Sequence, residues 1–165
     1  MEDYKFLIAG KEHFDDFYKL KSEPNNIFWS GFSKAPDYEA FQAHFTAQLE
    51  RTDRTIVFLY FGEKIAGYIA IDFCQNEKTT ETAHGVLTDF AGKRLGQKLI
   101  EHAVSFSKSH HPDATHIIGW IAEDNYGSIK NVMNNGYSKT EESELRFFEQ
   151  NNQNVKFEKY ILSLK

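Results

Sequence analysis

Apolar residues recur along the chain at two periods, near 3.6 and near 2, and their alternation predicts the elements. The run Phe6-Leu7-Ile8 reads as a short strand. Residues 11–21 then place Phe14, Phe17 and Tyr18 on one helical face. Asp37 is an N-cap for a second helix, with Tyr38, Phe41, Phe45 and Leu49 at helical spacing. Between the two, residues 22–36 read as a loop carrying Ile27-Phe28-Trp29-Ser30-Gly31-Phe32.

The middle of the chain changes period. Thr55 to Phe61 is β-branched and aromatic throughout, as a strand buried on both faces would be. Gly62-Glu63-Lys64 reads as a tight turn, after which Ile65, Gly67, Ile69, Ile71 and Phe73 share one side of a second strand. A third extended stretch covers about 79–87. From about Gly92 to Ser109 the stripe Leu95, Leu99, Ile100, Ala103 and Phe106 predicts a helix. Thr115 to Ile121 is a short apolar strand, and Asn125 caps a helix carrying Ile129, Val132 and Met133 that Gly136 ends. Leu145 to Phe148 and Val155 to Leu164 are the last strands. The order is strand, two helices, three strands, helix, strand, helix, two strands. It predicts an α/β fold of the α+β type: a mixed, mostly antiparallel central sheet flanked by helices.

Composition narrows the function classes. The 165 residues, 41% hydrophobic and 26% charged, fit a single globular domain spanning 1–165 and exclude general disorder. A net charge of −5 argues against nucleic-acid and anionic-membrane partners. The one cysteine, Cys74, excludes an internal disulfide and a cysteine zinc cluster. It lacks a nucleophile's sequence context and reads as a buried or semi-buried thiol at a strand end. The seven histidines show no metalloprotease spacing, and His110-His111 before Pro112 reads as a helix end. Met1 to Lys5 lacks the basic flank and apolar run of a signal peptide, so the expected compartment is the cytoplasm. Aromatic residues reach 15%, with fifteen Phe, and that excess asks for a use beyond the core.

Two segments carry candidate chemistry. In Gly85-Val86-Leu87-Thr88-Asp89-Phe90-Ala91-Gly92-Lys93-Arg94-Leu95-Gly96 a strand runs through a turn into an amphipathic helix. Such a turn either cradles a phosphate with backbone N–H groups or simply connects two elements. Lys93, Arg94 and Lys98 add a basic patch to an acidic protein. A P-loop is absent, since Arg94 and Leu87 stand where it needs Ser or Thr and Gly, and no dinucleotide fingerprint occurs. The second segment, Asn125 to Tyr137, is a capped helix with a glycine stop.

In this order and separation the pair resembles the signatures of the GNAT superfamily of acyl-CoA-dependent N-acetyltransferases, over essentially the whole chain. Val86 followed by Ala91-Gly92-Lys93-Arg94-Leu95-Gly96 is similar to the family's coenzyme motif, a Val, an Arg or Gln, then Gly-x-Gly or Gly-x-Ala. Asn125, Ser128 and Gly136-Tyr137 resemble its second motif. Ala91 departs from the expected Arg or Gln, and Arg94 from the first glycine, where its charge could serve a phosphate instead. Val132 stands where many members carry a Tyr that protonates the departing thiolate; solvent, Tyr126 or Tyr137 are the alternatives.

The resemblance implies transfer of the acetyl group of acetyl-CoA to a primary amine, of a small molecule or protein, by direct attack on the thioester. It implies coenzyme contacts at Val86, Leu87, Ala91, Gly92, Lys93, Arg94, Leu95, Gly96, Asn125 and Ser128. An amine of pKa near 10 must lose a proton before attack, and Glu81 and His84 are the candidate bases. Strand parity sets them on opposite faces, so a regular strand cannot aim both into one cleft. The loop between the first two helices borders the acceptor site in the family, which makes Phe28, Trp29 and Phe32 candidate acceptor contacts, or plugs for the core beneath. An acyl-CoA-binding module with little catalysis is the alternative, motivated by Arg94 and Val132. A homodimer is possible.

Overall fold

The run Ile56–Tyr60 is buried throughout and forms the middle of β2 (Arg54–Phe61). Gly62, at φ +58°, turns the chain into β3 (Lys64–Cys74), giving the expected hairpin. β1 (Tyr4–Ile8) pairs with β2, and β4 (Thr79–Val86) with β3, both antiparallel. β5 (His116–Ala122) joins β4 in parallel; β7 (Gln153–Ser163) and β6 (Ser138–Phe148) complete the sheet. The order β1-β2-β3-β4-β5-β7-β6 is the mixed, mostly antiparallel sheet that the pattern predicts. The structure, a computed structural model, describes residues 3–165. Met1 and Glu2, which open the segment considered above for targeting, lie outside the described residues.

Alternating side chains build one core on each face. On the back, Leu95, Leu99, Ile100 and Ala103 of α4 (Leu95–His110) and Val132 of α5 (Tyr126–Met133) pack against Ile69, Ile71 and Ile117. On the front, α1 (Phe14–Lys21) and α3 (Tyr38–Leu49) cover Ile56, Phe58, Tyr60 and Tyr68. Phe14 and Phe17 meet Phe41 and Phe45 at ring-centroid distances of 5.2–5.9 Å, so the helical phenylalanines are core, as their spacing predicts. None of the described helices is long and apolar enough to cross a membrane.

Three expectations change. Residues 22–36 are not simply a loop: they contain α2 (Pro24–Trp29). Pro24 presets φ in its first turn and Glu23 enters extended, so the helix starts cleanly. Its six residues are too few to show a period. β6 extends back to Ser138, far beyond Leu145–Phe148, because an exposed edge strand needs no apolar alternation. Cross-strand pairs Lys139–Glu158 (3.1 Å) and Lys159–Glu142 (2.9 Å) accompany it. Cys74 is exposed rather than buried, since β3 has run past the core where it pairs with the first residue of β4.

Candidate functional site

β4 and β5 pair only from Thr79↔His116 to Thr82↔Gly119, while β4 continues to Val86 on β3 alone. Beyond Gly119, whose missing side chain would meet nothing within 4 Å, the sheet is split. The Leu87 N–H donates to Ala66 O at 2.8 Å, which fixes the phase of the β3–β4 ladder. In that phase His84 and Val86 turn their backbone groups away from β3, toward the split. Leu87 is spent on the sheet and buried, so the two neighbours considered for coenzyme pairing part company.

Two cavities meet at the split. The larger, about 910 Å³, lies between the start of α4 and α5 and is bordered by Val86, Ala91, Gly92, Arg94, Leu95 and Gly96. The smaller, about 300 Å³, lies on the front face under α2. Asn26, Trp29, His84, Asn125 and Ser128 border both, which makes them one continuous passage through the sheet.

The larger cavity ends on an uncapped helix. Arg94 is the N-cap of α4 but makes no side-chain cap, and the first backbone bond of the helix runs from Lys98 N to Arg94 O. The N–H groups of Leu95, Gly96 and Gln97 are therefore free at the positive end of the helix dipole. The turn reaches this geometry through left-handed backbone at Gly92 (φ +78°) and at Arg94 (φ +59°). Arg94 thus adopts the conformation a glycine would take without cost. Gly96 has another reason: a Cβ there would collide with Asn131 Nδ2 on α5. The basic patch divides, because only Arg94 borders the cavity; Lys93 lies 6.0 Å from the Phe61 and Phe90 rings, and Lys98 4.7 Å from the Tyr4 ring. Asn125 Oδ1 accepts from Ser128 N at 3.4 Å, so the second motif caps α5 and borders the passage at once.

The smaller cavity holds the candidate bases. Glu81 and His84 do face opposite sides of β4, yet both border this cavity, because the split lets it reach through the sheet. Burial pushes the His84 imidazole down to about 4. Glu81 moves the other way: burial first, then the Asp72 charge, raise it above the ordinary carboxylate value, while Arg146 and the Trp120 indole oppose the rise. The two shifts run in opposite directions, against His84 and in favour of Glu81 as a proton acceptor. Asp72 lies opposite Glu81 on β3 and receives Arg54 Nε and Nη2 at 2.6 Å each.

α2 forms the roof and is tied at both ends. Thr88 N donates to Glu23 at 2.6 Å, and Glu149 N donates to Gly31 O at 2.9 Å. Gly85 leaves room for it, since a Cβ there would meet Asn26 Oδ1 at 2.6 Å. Of the three aromatic candidates only Trp29 borders the cavities. Phe28 packs edge-on against Phe148 at 5.4 Å, and Phe32 is 57% exposed outside them. Tyr137 is buried with its hydroxyl unpaired, and Tyr126 is 75% exposed; neither borders the passage, whereas Val132 does. The cavity also uses Lys21, Asn26, Asp72, Trp120 and Arg146, which the sequence motifs do not mark. Asp72 and Arg146 carry one signal, a single charge inside an apolar run.

The family model for the acetyltransferase (GNAT) family matches residues 14–137. No curated protein sequence matches the chain significantly. Among solved structures, spermidine N-acetyltransferase from Vibrio cholerae, in complex with CoA and spermine, superposes with a TM-score of 0.85 at 11% identity, covering 98% of this chain and 96% of that one. The yncA protein of Salmonella typhimurium, solved with its cofactor acetyl-CoA, gives 0.80 at 15% identity, with 99% and 95% covered. Ribosomal-protein-alanine N-acetyltransferase from Brucella melitensis gives 0.81 at 11%, with 96% and 99% covered. These similarities establish the fold, and the family's enzymes use acetyl-CoA as cosubstrate. The chain belongs to the GNAT family of acetyltransferases.

Proposed function

We propose that this chain transfers the acetyl group of acetyl-CoA to a primary amine, with Glu81 as the general base. The observation that carries this reading is the passage through the sheet, which joins a phosphate-type cavity to a cavity that holds a carboxylate of raised pKa. The donor side fits the coenzyme by its chemistry. Free N–H groups of Leu95, Gly96 and Gln97, with the Arg94 guanidinium, would receive its pyrophosphate. The backbone edges of His84 and Val86 would pair with its amide-bearing arm as an added strand does. When bound, acetyl-CoA supplies an activated acyl group as a thioester.

On the acceptor side an ammonium enters beside Glu81, which takes a proton and leaves the neutral amine as nucleophile. His84, neutral at pH 7, serves through its backbone and by shaping the passage rather than by titration. No side-chain acid borders the passage at Val132, so proton return to the thiolate falls to solvent. A thiolate of pKa about 8.5 tolerates that near neutrality.

Calorimetry with acetyl-CoA, paired with thiol-release assays over polyamines, aminoglycosides, amino sugars, amino acids and N-terminal peptides, tests this reading. Binding with thiol release from at least one amine supports it; no binding at millimolar acetyl-CoA overturns it. Val132 favours a second reading, a coenzyme-binding module with little catalysis. Tight binding without acceptor-dependent thiol release would select that one.

A further inference from the structure

The walls of the smaller cavity narrow the acceptor, an inference that rests on the acetyl-transfer reading above. Three cations border it, Lys21 from the end of α1, Arg54 from β2 and Arg146 from β6, against two carboxylates, Asp72 and Glu81. Arg54 and Asp72 satisfy each other through two contacts of 2.6 Å, so neither is available to a ligand.

The other cations are less committed. Arg146 gives both Nε (2.7 Å) and Nη2 (2.5 Å) to one oxygen of Glu144 and lies 4.2 Å over the Phe157 ring. Its Nη1 donors have no partner among the described residues. Lys21 meets only neutral groups: Nζ donates to the Tyr68 hydroxyl at 3.2 Å and lies 5.4 Å from that ring's centroid. No carboxylate among the described residues pairs with it. An ammonium at a cavity wall with no protein counter-charge is free to pair with an incoming anion.

With the closed pair set aside, the cavity offers one carboxylate, Glu81, and two cations with donors to spare. That pattern complements a ligand with both charges. A polyamine would find one free carboxylate, opposed by the Lys21 ammonium, which has no carboxylate partner among the described residues, and by a guanidinium that Glu144 already neutralises. We propose that the acceptor is a primary amine that also carries an anion, a carboxylate or a phosphate, which Lys21 and Arg146 hold while the amine faces Glu81. Trp29 and Trp120 supply apolar walls for the carbon skeleton between the charges.

Matched amines test this directly. Thiol release from acetyl-CoA gives kcat/KM for ethanolamine, O-phosphoethanolamine and β-alanine, with spermidine as the polycation. The anion-bearing amines should exceed ethanolamine by tenfold or more and spermidine by a wider margin. The phosphate and carboxylate members tell which anion the site takes. Lys21→Met and Arg146→Met should each cut the anionic-to-neutral preference at least fivefold, and Lys21→Arg should restore it. Calorimetric titration of the CoA-loaded protein with the better anionic amine should show the same losses of affinity. Preference for ethanolamine or spermidine, or variants that lower every amine in proportion, would overturn the proposal. If acetyl-CoA binds but no amine is turned over, the acetyl-transfer reading falls, and the calorimetric titration decides the anion site by itself.

Discussion

Asp72 and Glu81 stand directly opposite one another across the β3–β4 ladder, and a guanidinium closes on Asp72 alone. Arg54 donates to both oxygens of Asp72, and no such pair of contacts forms on Glu81. Two carboxylates in register repel, and the one with less compensation takes up its proton more readily. Glu81 is that one, its pKa raised by burial and then by Asp72. In the row Arg54–Asp72–Glu81 a structural ion pair thus stands beside the carboxyl proposed as the base.

Activity should accordingly fall as pH drops through the raised Glu81 pKa, because only the carboxylate form accepts a proton. In Asp72→Asn the repulsion is gone and Arg54 is left unpaired nearby; both changes favour ionised Glu81. The acid limb of kcat/KM then moves to lower pH. Glu81→Gln loses about 10²–10⁴ in kcat and has no such limb. A pH–rate profile of the three proteins checks this, and an acid limb that survives unaltered in Glu81→Gln would remove Glu81 from its role.

His84 predicts a stability effect rather than a kinetic one. The unfolded chain protonates this imidazole near 6.5, the folded chain only near 4. The unfolded state therefore binds more protons between those values, and stability rises with pH across the window and is lost as pH falls through it. The ring is partly open to the passage, so the contribution is about 1–3 kcal/mol. Urea unfolding at pH 7 and pH 5 should show a smaller loss of stability in His84→Gln than in the unaltered protein.

The sheet and the main helices were legible because their apolar periods are long. Phe14, Phe17, Phe41 and Phe45 sit where helical spacing puts them, and β2 is buried where its residues are β-branched and aromatic. α2 was not legible, since six residues started by a proline carry no period. The shared cavity of Glu81 and His84 was hidden for another reason. Strand parity correctly separates the two, and only the loss of β4–β5 pairing after Gly119 rejoins them. Asp72 and Arg146 were visible as lone charges in apolar runs, but register across separated strands is what brings them near Glu81.

Arg94 is the departure from the family motif that the backbone makes measurable. Its φ of +59° costs a non-glycine residue about 1 kcal/mol, part of which the looser unfolded chain of a glycine variant offsets. Arg94→Gly should therefore raise stability by about 0.5–1 kcal/mol while weakening acetyl-CoA binding through the lost charge. Thermal unfolding and calorimetry on one preparation separate the two effects. Equal acetyl-CoA affinity in the variant would show that the guanidinium serves no phosphate.

The aromatic residues between α1 and α3 can be sorted by substitution. Trp29 borders both cavities, half-buried against Phe28 at 4.9 Å, whereas Phe28 spends its ring on Phe148. Trp29→Ala should raise KM for acceptor and acetyl-CoA together, and it should admit water that releases thiol without acceptor. Phe28→Ala removes an edge-to-face pair and buried area, so its cost of about 2–4 kcal/mol should appear in the melting temperature, with KM within twofold. Phe32→Ala, at a ring that touches neither cavity, should leave both KM values alone. A KM effect confined to Phe32→Ala would mean that the acceptor lies outside α2 rather than beneath it.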